Sequence, residues 1–182
     1  MKTGKYYPGL SSFKMIIVLL TFLLSIGSSL GKGSSESRQV DQKRNDAIRR
    51  IKAILKQTTY HNESVKSILK ITEKATLNFD TYVHIADLAH EFGYHTGELL
   101  QIAELTSKVK FETDYFNQIA ELSILQAGPG VIELADFISK QDSLNKSEID
   151  SSVQKLKSEA HFKTMDEAMQ ANKVEMDRIN HK

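Results

Sequence analysis

The stretch Asp80-Thr-Tyr-Val-His-Ile-Ala-Asp-Leu-Ala-His-Glu-Phe-Gly93 decides the fold. At 100° per residue Tyr82, Ile85, Ala86, Ala89 and Phe92 share one face of a helix, and Asp80, His84, Asp87 and Glu91 share the opposite one. One face is built for burial and the other for water. Asp80 reads as the N-cap and Gly93 as the stop. Ile85-Ala-Asp-Leu88 returns as Ile102-Ala-Glu-Leu105 and Ile119-Ala-Glu-Leu122 at a spacing of seventeen residues, with Leu134-Ala-Asp-Phe137 as a looser copy. Seventeen residues is one three-turn helix plus a connection, and two such units make a helical hairpin. The expected fold is therefore all-α, an antiparallel helical bundle or a short stack of helical hairpins with about six to seven helices.

On the N-terminal side, residues 41–57 predict a helix with Ile48, Ile51, Ile54 and Leu55 along one stripe, and Asn62 or Ser64 can start another carrying Val65, Ile68 and Leu69. On the C-terminal side, helices are expected over 96–108, 114–127 and 131–140, with Gly128-Pro129-Gly130 ending the second of these because Pro129 cannot continue the hydrogen-bond ladder. A last, more polar helix begins at Ser147. Its apolar contacts are sparse (Ile149, Val153, Leu156, Met165, Met169, Met176, Ile179) and thin beyond Ala160, so its end is expected to dock loosely.

Composition agrees with helix. The 182 residues are 40% hydrophobic and 26% charged, with only two prolines and nine glycines to break long runs. The absence of cysteine excludes disulfides, thiolate nucleophiles, iron-sulfur clusters and an acylated lipoprotein N-terminus. The formal charge of +1 is unevenly spread: Arg38, Lys43, Arg44, Arg49, Arg50, Lys52 and Lys56 face only Asp41 and Asp46, whereas carboxylates dominate from Glu73 to Asp142.

Lys2, Lys5 and Lys14 precede the apolar run Met15-Ile-Ile-Val-Leu-Leu-Thr-Phe-Leu-Leu-Ser-Ile26, which has the form of an export signal and is short for a membrane span. Ser29-Leu30-Gly31 offers small side chains to a signal peptidase, placing the cut after Gly31. The expected organisation is a signal peptide over 1–31, a flexible leader over 32–40, a helical core over 41–145 and a C-terminal polar helix over 146–182. The membrane is then met only transiently, and the product is secreted or periplasmic.

Residues Ile85 to Tyr94, followed by Leu99 or Leu100, resemble the helix-turn-helix of DNA-binding proteins, with a small residue in the first helix and glycine at the turn. The resemblance implies a recognition helix at His95 to Leu105. That segment carries Glu98 and Glu104 and no Arg or Lys, so nucleic acid is not the expected partner. The stretch is also similar to the helical leader domains of modified ribosomal peptides, which an export signal and a long C-terminal extension do not fit.

His84, Asp87 and Glu91, at i, i+3 and i+7, have a spacing that could hold a divalent metal, but they lie on the solvent face, so no metal and no cofactor is expected. His90-Glu91 is followed by His95 one place too late for a zincin helix, and 142–153 lacks the ligands and the turn glycine of a calcium loop. There is no phosphate loop and no nucleophile elbow. The functional expectation is non-catalytic binding of a protein partner, at the junction of the Gly93 and Gly128 turns with the C-terminal helix, with Tyr82, Tyr94, Tyr115 and Phe116 as contacts. One alternative is binding of an anionic surface, membrane or envelope polymer, through the basic helix 38–56 (Arg44, Arg49, Arg50, Lys52, Lys56). A metal-dependent enzyme is the second alternative. The bland reading of the basic helix is pairing with the protein's own acidic helices.

Overall fold

In the computed structural model, which describes residues 36–58 and 62–180, the described residues are all-helical apart from short connections, with no strand among them. The apolar run 15–26, the cut at Gly31, residues 32–35 of the expected leader, His61 and the side chains of Tyr94, Met176 and Ile179 lie outside what is described. Eight α-helices follow one another: α1 over 36–57, α2 Asn62–Lys74, α3 Phe79–Glu91, α4 Thr96–Thr106, α5 Tyr115–Ile124, α6 Gly130–Ser139, α7 Lys146–Glu159 and α8 Met165–Asn180. A 3-10 turn, Gly93–His95, joins α3 to α4.

Eight exceeds the expected six to seven, because the C-terminal segment is two helices. Ala160 leaves the helical region (φ −58°, ψ 137°), and Thr164 begins the next helix with a reciprocal cap. The Glu167 N–H donates to Thr164 Oγ1 at 3.2 Å, and the Glu167 carboxylate accepts the Lys163 N–H at 2.7 Å. Lys163 closes the preceding helix by donating from Nζ to the Ala160 carbonyl at 2.6 Å. At the other end the helix begins at residue 36, inside the stretch expected to be a leader. No Gly or Pro interrupts the sequence from Ser34 to Gln57, and Glu36 opens the first turn with a favourable charge.

The described residues 36–41 belong to one unit, and those from Gln42 on to another. Within the second unit the packing order is regular. Each helix from α2 to α6 packs on the next, and each from α2 to α5 also on the helix after it: α2 on α4, α4 on α6, α3 on α5 and α5 on α7. From α2 to α7, even-numbered helices therefore make one layer and odd-numbered helices the other.

The odd helices run parallel, as their paired ends show. Tyr115, at the start of α5, donates its hydroxyl to Asp150 Oδ1 near the start of α7 at 2.6 Å. Beyond the ends of the same two helices, the Phe162 N–H donates to the Leu125 carbonyl at 3.2 Å. From residue 42 on, α1 follows α3 in the same sense: Arg44 Nε donates to the Ala75 carbonyl at 2.9 Å, Arg50 meets Asp80 at 2.9 Å, and Thr58 meets His90 at 3.1 Å. The Thr58 hydroxyl proton is committed to the Ile54 carbonyl, so His90 Nδ1 is the donor in the last contact.

The recurring tetrapeptide falls on α3, α4, α5 and α6 in one register. Ile85, Ala86 and Leu88, Ile102, Ala103 and Leu105, Ile119, Ala120 and Leu122, and Leu134 and Ala135 are all buried. Asp87 and Glu104 are exposed, and Glu121 and Asp136 half-buried.

Asp80 does not cap α3. The residue before the helix is Asn78, left-handed at φ 57°, and its side chain ties two loops together instead. Nδ2 donates to the Phe111 carbonyl at 3.1 Å, and Oδ1 accepts the Thr113 N–H at 2.8 Å. Asp80 serves in the first turn of α3 as the acceptor for Arg50.

Candidate functional site

The C-terminal ends of α3 and α5 lie near each other, and the chain returns to them after α7. The third helix ends at Phe92, whose N–H still donates to the Leu88 carbonyl at 2.8 Å before the 3-10 turn redirects the chain. The fifth ends in a Schellman cap: the Ala127 N–H donates to the Leu122 carbonyl and the Gln126 N–H to that of Ser123, both at 3.1 Å. The left-handed position of this cap, usually glycine, is Gln126 at φ 55°. A side chain there costs on the order of 1 kcal/mol, so the turn is mildly strained. Gly128, two residues on, takes φ 87° and continues the turn into α6.

Onto this end the chain lays α8. It does not extend the two-layer order, since it packs on α5 and reaches back to α3, where Asn172 Nδ2 donates to the Glu91 carbonyl at 3.0 Å. The contact face of α8 is made of small and polar residues. Ala168 is buried, while Ala171, Asn172 and Glu175 stand over a floor of Phe92, Ile124 and Phe162. His95 and Gln126 complete the rim. Because alanines face aromatic and branched side chains, the fit leaves a cleft of about 160 Å³. That volume accepts one apolar side chain or a small ring, and the polar rim would orient whatever enters.

Of the expected contact residues, Tyr82, Tyr115 and Phe116 do not line this cleft. Tyr82 and Phe116 are 1% and 0% exposed, and belong to the core, because their helix faces turn inward between the layers. Burial pushes the Tyr82 phenol above its ordinary range. Tyr115 is buried at the opposite end of α5, where the hydrogen bond to Asp150, with burial adding to it, pushes its pKa up to about 12. The Tyr94 side chain lies outside the described residues. The helix face of Phe92 marks it as core, whereas Phe162 has no periodicity to single it out. Thr164-Met-Asp-Glu167 was the available clue to the helix break that places it.

The three possible metal ligands of α3 diverge. His84 turns to α5, where its Nε2 lies 3.2 Å from Glu121 Oε1, while Asp87 and Glu91 remain exposed. Among the described residues no group of three His, Asp or Glu side chains converges on a point where an ion could sit. The His84 contact falls short of the geometry of a full hydrogen bond. It still holds the Glu121 carboxyl below its usual range, through the His84 donor first and its charge second, against the opposing effect of burial, with Lys157 of α7 helping.

A carboxyl whose folded-state pKa is depressed stabilises the fold above its unfolded value near 4.3 and loses that contribution as pH falls through the folded value. Glu121→Gln should therefore lower the melting temperature at pH 6 by a small amount, under about 1 kcal/mol, since the pair is partly exposed. Melting curves of both proteins should converge as pH falls through the depressed Glu121 value, and a difference that persists in strong acid would show that Glu121 acts by packing instead.

The basic residues of α1 divide into two sets. Lys43 pairs with Glu112 at 3.4 Å, Arg50 with Asp80, and Arg49 with Asp46 one turn before it. Arg44 binds the Ala75 carbonyl and stands 6.0 Å over the Phe79 ring. Lys52 and Lys56 are exposed and form no ion pair among the described residues.

Compared with known proteins, the sequence matches no family model, and neither a curated protein nor a solved structure matches it. Among the described residues no helix is long and apolar enough to cross a membrane.

Proposed function

We propose that this protein is exported and acts by binding another protein, without catalysis, on a scaffold of stacked helical hairpins. The observation that carries the reading is the cleft: an apolar floor with a polar rim, left open because α8 covers it with alanines. A partner offering one large apolar side chain would fill space that this chain leaves empty, which is how most interface anchors contribute their energy. The tetrapeptide register shared by α3 to α6 supports the stacked scaffold, since one core solution is used repeatedly. The Gly-Ser leader and the n-region lysines support export.

Ala171→Phe, which fills the cleft from α8, is the test. Extracts of the source cells passed over wild-type and Ala171→Phe protein should yield a partner that the wild type retains and the variant loses by tenfold or more. Identical capture by the two would sink the cleft as the binding site. N-terminal sequencing of the exported protein should begin at Lys32, and a retained Met1 in the same fraction would reject the processing.

A further inference from the structure

We infer that the outer face of α1 docks on an anionic lipid bilayer. Asn45, Arg49, Lys52 and Lys56 stand at i, i+4, i+7 and i+11, and all four are exposed, so they form one continuous stripe along the helix. The opposite side of the helix is held down by buried Ala47 and Ile51, which fixes the stripe outward. Between Gln42 and Gln57 the helix carries six Lys and Arg against the single acid Asp46. The carboxylates of neighbouring loops and helices take up Lys43 and Arg50, on the flank of the helix. On the stripe itself, among the described residues only Arg49 has a partner, and that is Asp46 of the same helix, with Arg49 still 81% exposed.

A bilayer fits this face better than a protein does. Among the described residues the exposed large hydrophobic side chains are Leu144, Met169 and Val174, none of them on α1, so the stripe offers a partner no apolar anchor. A charged lipid surface requires none, because flexible lysines gain their attraction within a Debye length of the headgroups. The sequence also sets the apolar run Met15–Ile26 a short Gly-Ser leader ahead of this helix. Any period in which that run is in a membrane holds the basic helix near the headgroups at high effective concentration.

The test uses the full chain and vesicles of phosphatidylcholine, with and without phosphatidylglycerol. The apolar run contributes alike to wild type and variants, so differences between proteins report the charges. Each Lys or Arg at such a surface strengthens association by about fivefold. The variant Arg49→Glu, Lys52→Glu, Lys56→Glu should thus bind phosphatidylglycerol vesicles at least on the order of a hundredfold more weakly than wild type. The same charge change placed elsewhere, Lys146→Glu, Lys155→Glu, Lys173→Glu, should cost less than about fivefold.

Equal losses in the two variants would mean that net charge alone matters, and would overturn the assignment. So would undiminished binding by the α1 variant, or wild-type binding to soluble polyphosphate without binding to anionic vesicles. Should the α1 variant fail to fold, wild-type binding carries the test: its preference for anionic vesicles must collapse at about 0.5 M salt, and a salt-independent preference rejects the proposal.

Discussion

Ile119→Ala is expected to remove about 2 to 5 kcal/mol of stability, read as a lowered denaturation midpoint at unchanged slope. Ile119 is 0% exposed on α5, the helix that packs on α3, α4, α6 and α7. Truncating it deletes buried methyl groups and leaves a cavity that two layers would have to move to close. A domain of ordinary stability has only about 5 to 15 kcal/mol to lose, so the variant should approach unfolding at physiological temperature. Glu104→Ala changes the exposed acidic position of the same tetrapeptide, and should shift the midpoint by less than about 0.5 kcal/mol. Similar losses for the two would mean that the recurring pattern is not a core register.

The second large effect is expected at Asn78, 7% exposed and holding both a carbonyl and an N–H of the loop 107–114. Asn78→Ala strands Phe111 and Thr113 without partners and places a β-carbon in a left-handed conformation without the compensating amide. Together these should cost about 2 to 4 kcal/mol. Asn78→Gly relieves the backbone and leaves the two groups stranded, so it should recover about 1 kcal/mol of that loss. Denaturation curves of the pair separate the two causes, and an alanine variant as stable as wild type would show that the clamp contributes nothing.

The helices were legible because their signal is local. The buried stripe of α3 and the placement of Ile102, Ile119 and Leu134 follow from periods within a dozen residues. The break at Ala160 was just as local, in Thr164 and Glu167, but a sparse apolar stripe running on through Met165 and Met169 concealed it. Asn78 was out of reach, because its partners lie 33 and 35 residues away and nothing in the sequence marks that distance.

The cleft was half legible. Its place follows from glycine turns and a thinly apolar last helix, whereas its lining depends on the return of the chain after α7, which no periodicity encodes. Tyr82 and Phe116 illustrate the difference: aromatic residues suggest contact area, and only the three-dimensional packing says whether that area faces a partner or the core.

The regular order of contacts also sets the order of events during folding. Helices that touch only the next one or two along the chain close short loops, so the body from α2 to α7 has the low contact order of proteins that fold within microseconds to milliseconds. The bond from Asn172 to Glu91 spans 81 residues and rewards the chain only after those helices are in place. The last helix is then the final piece to settle and the first to lift, so the covering of the cleft is a late, separately reversible step in the life of an otherwise formed molecule.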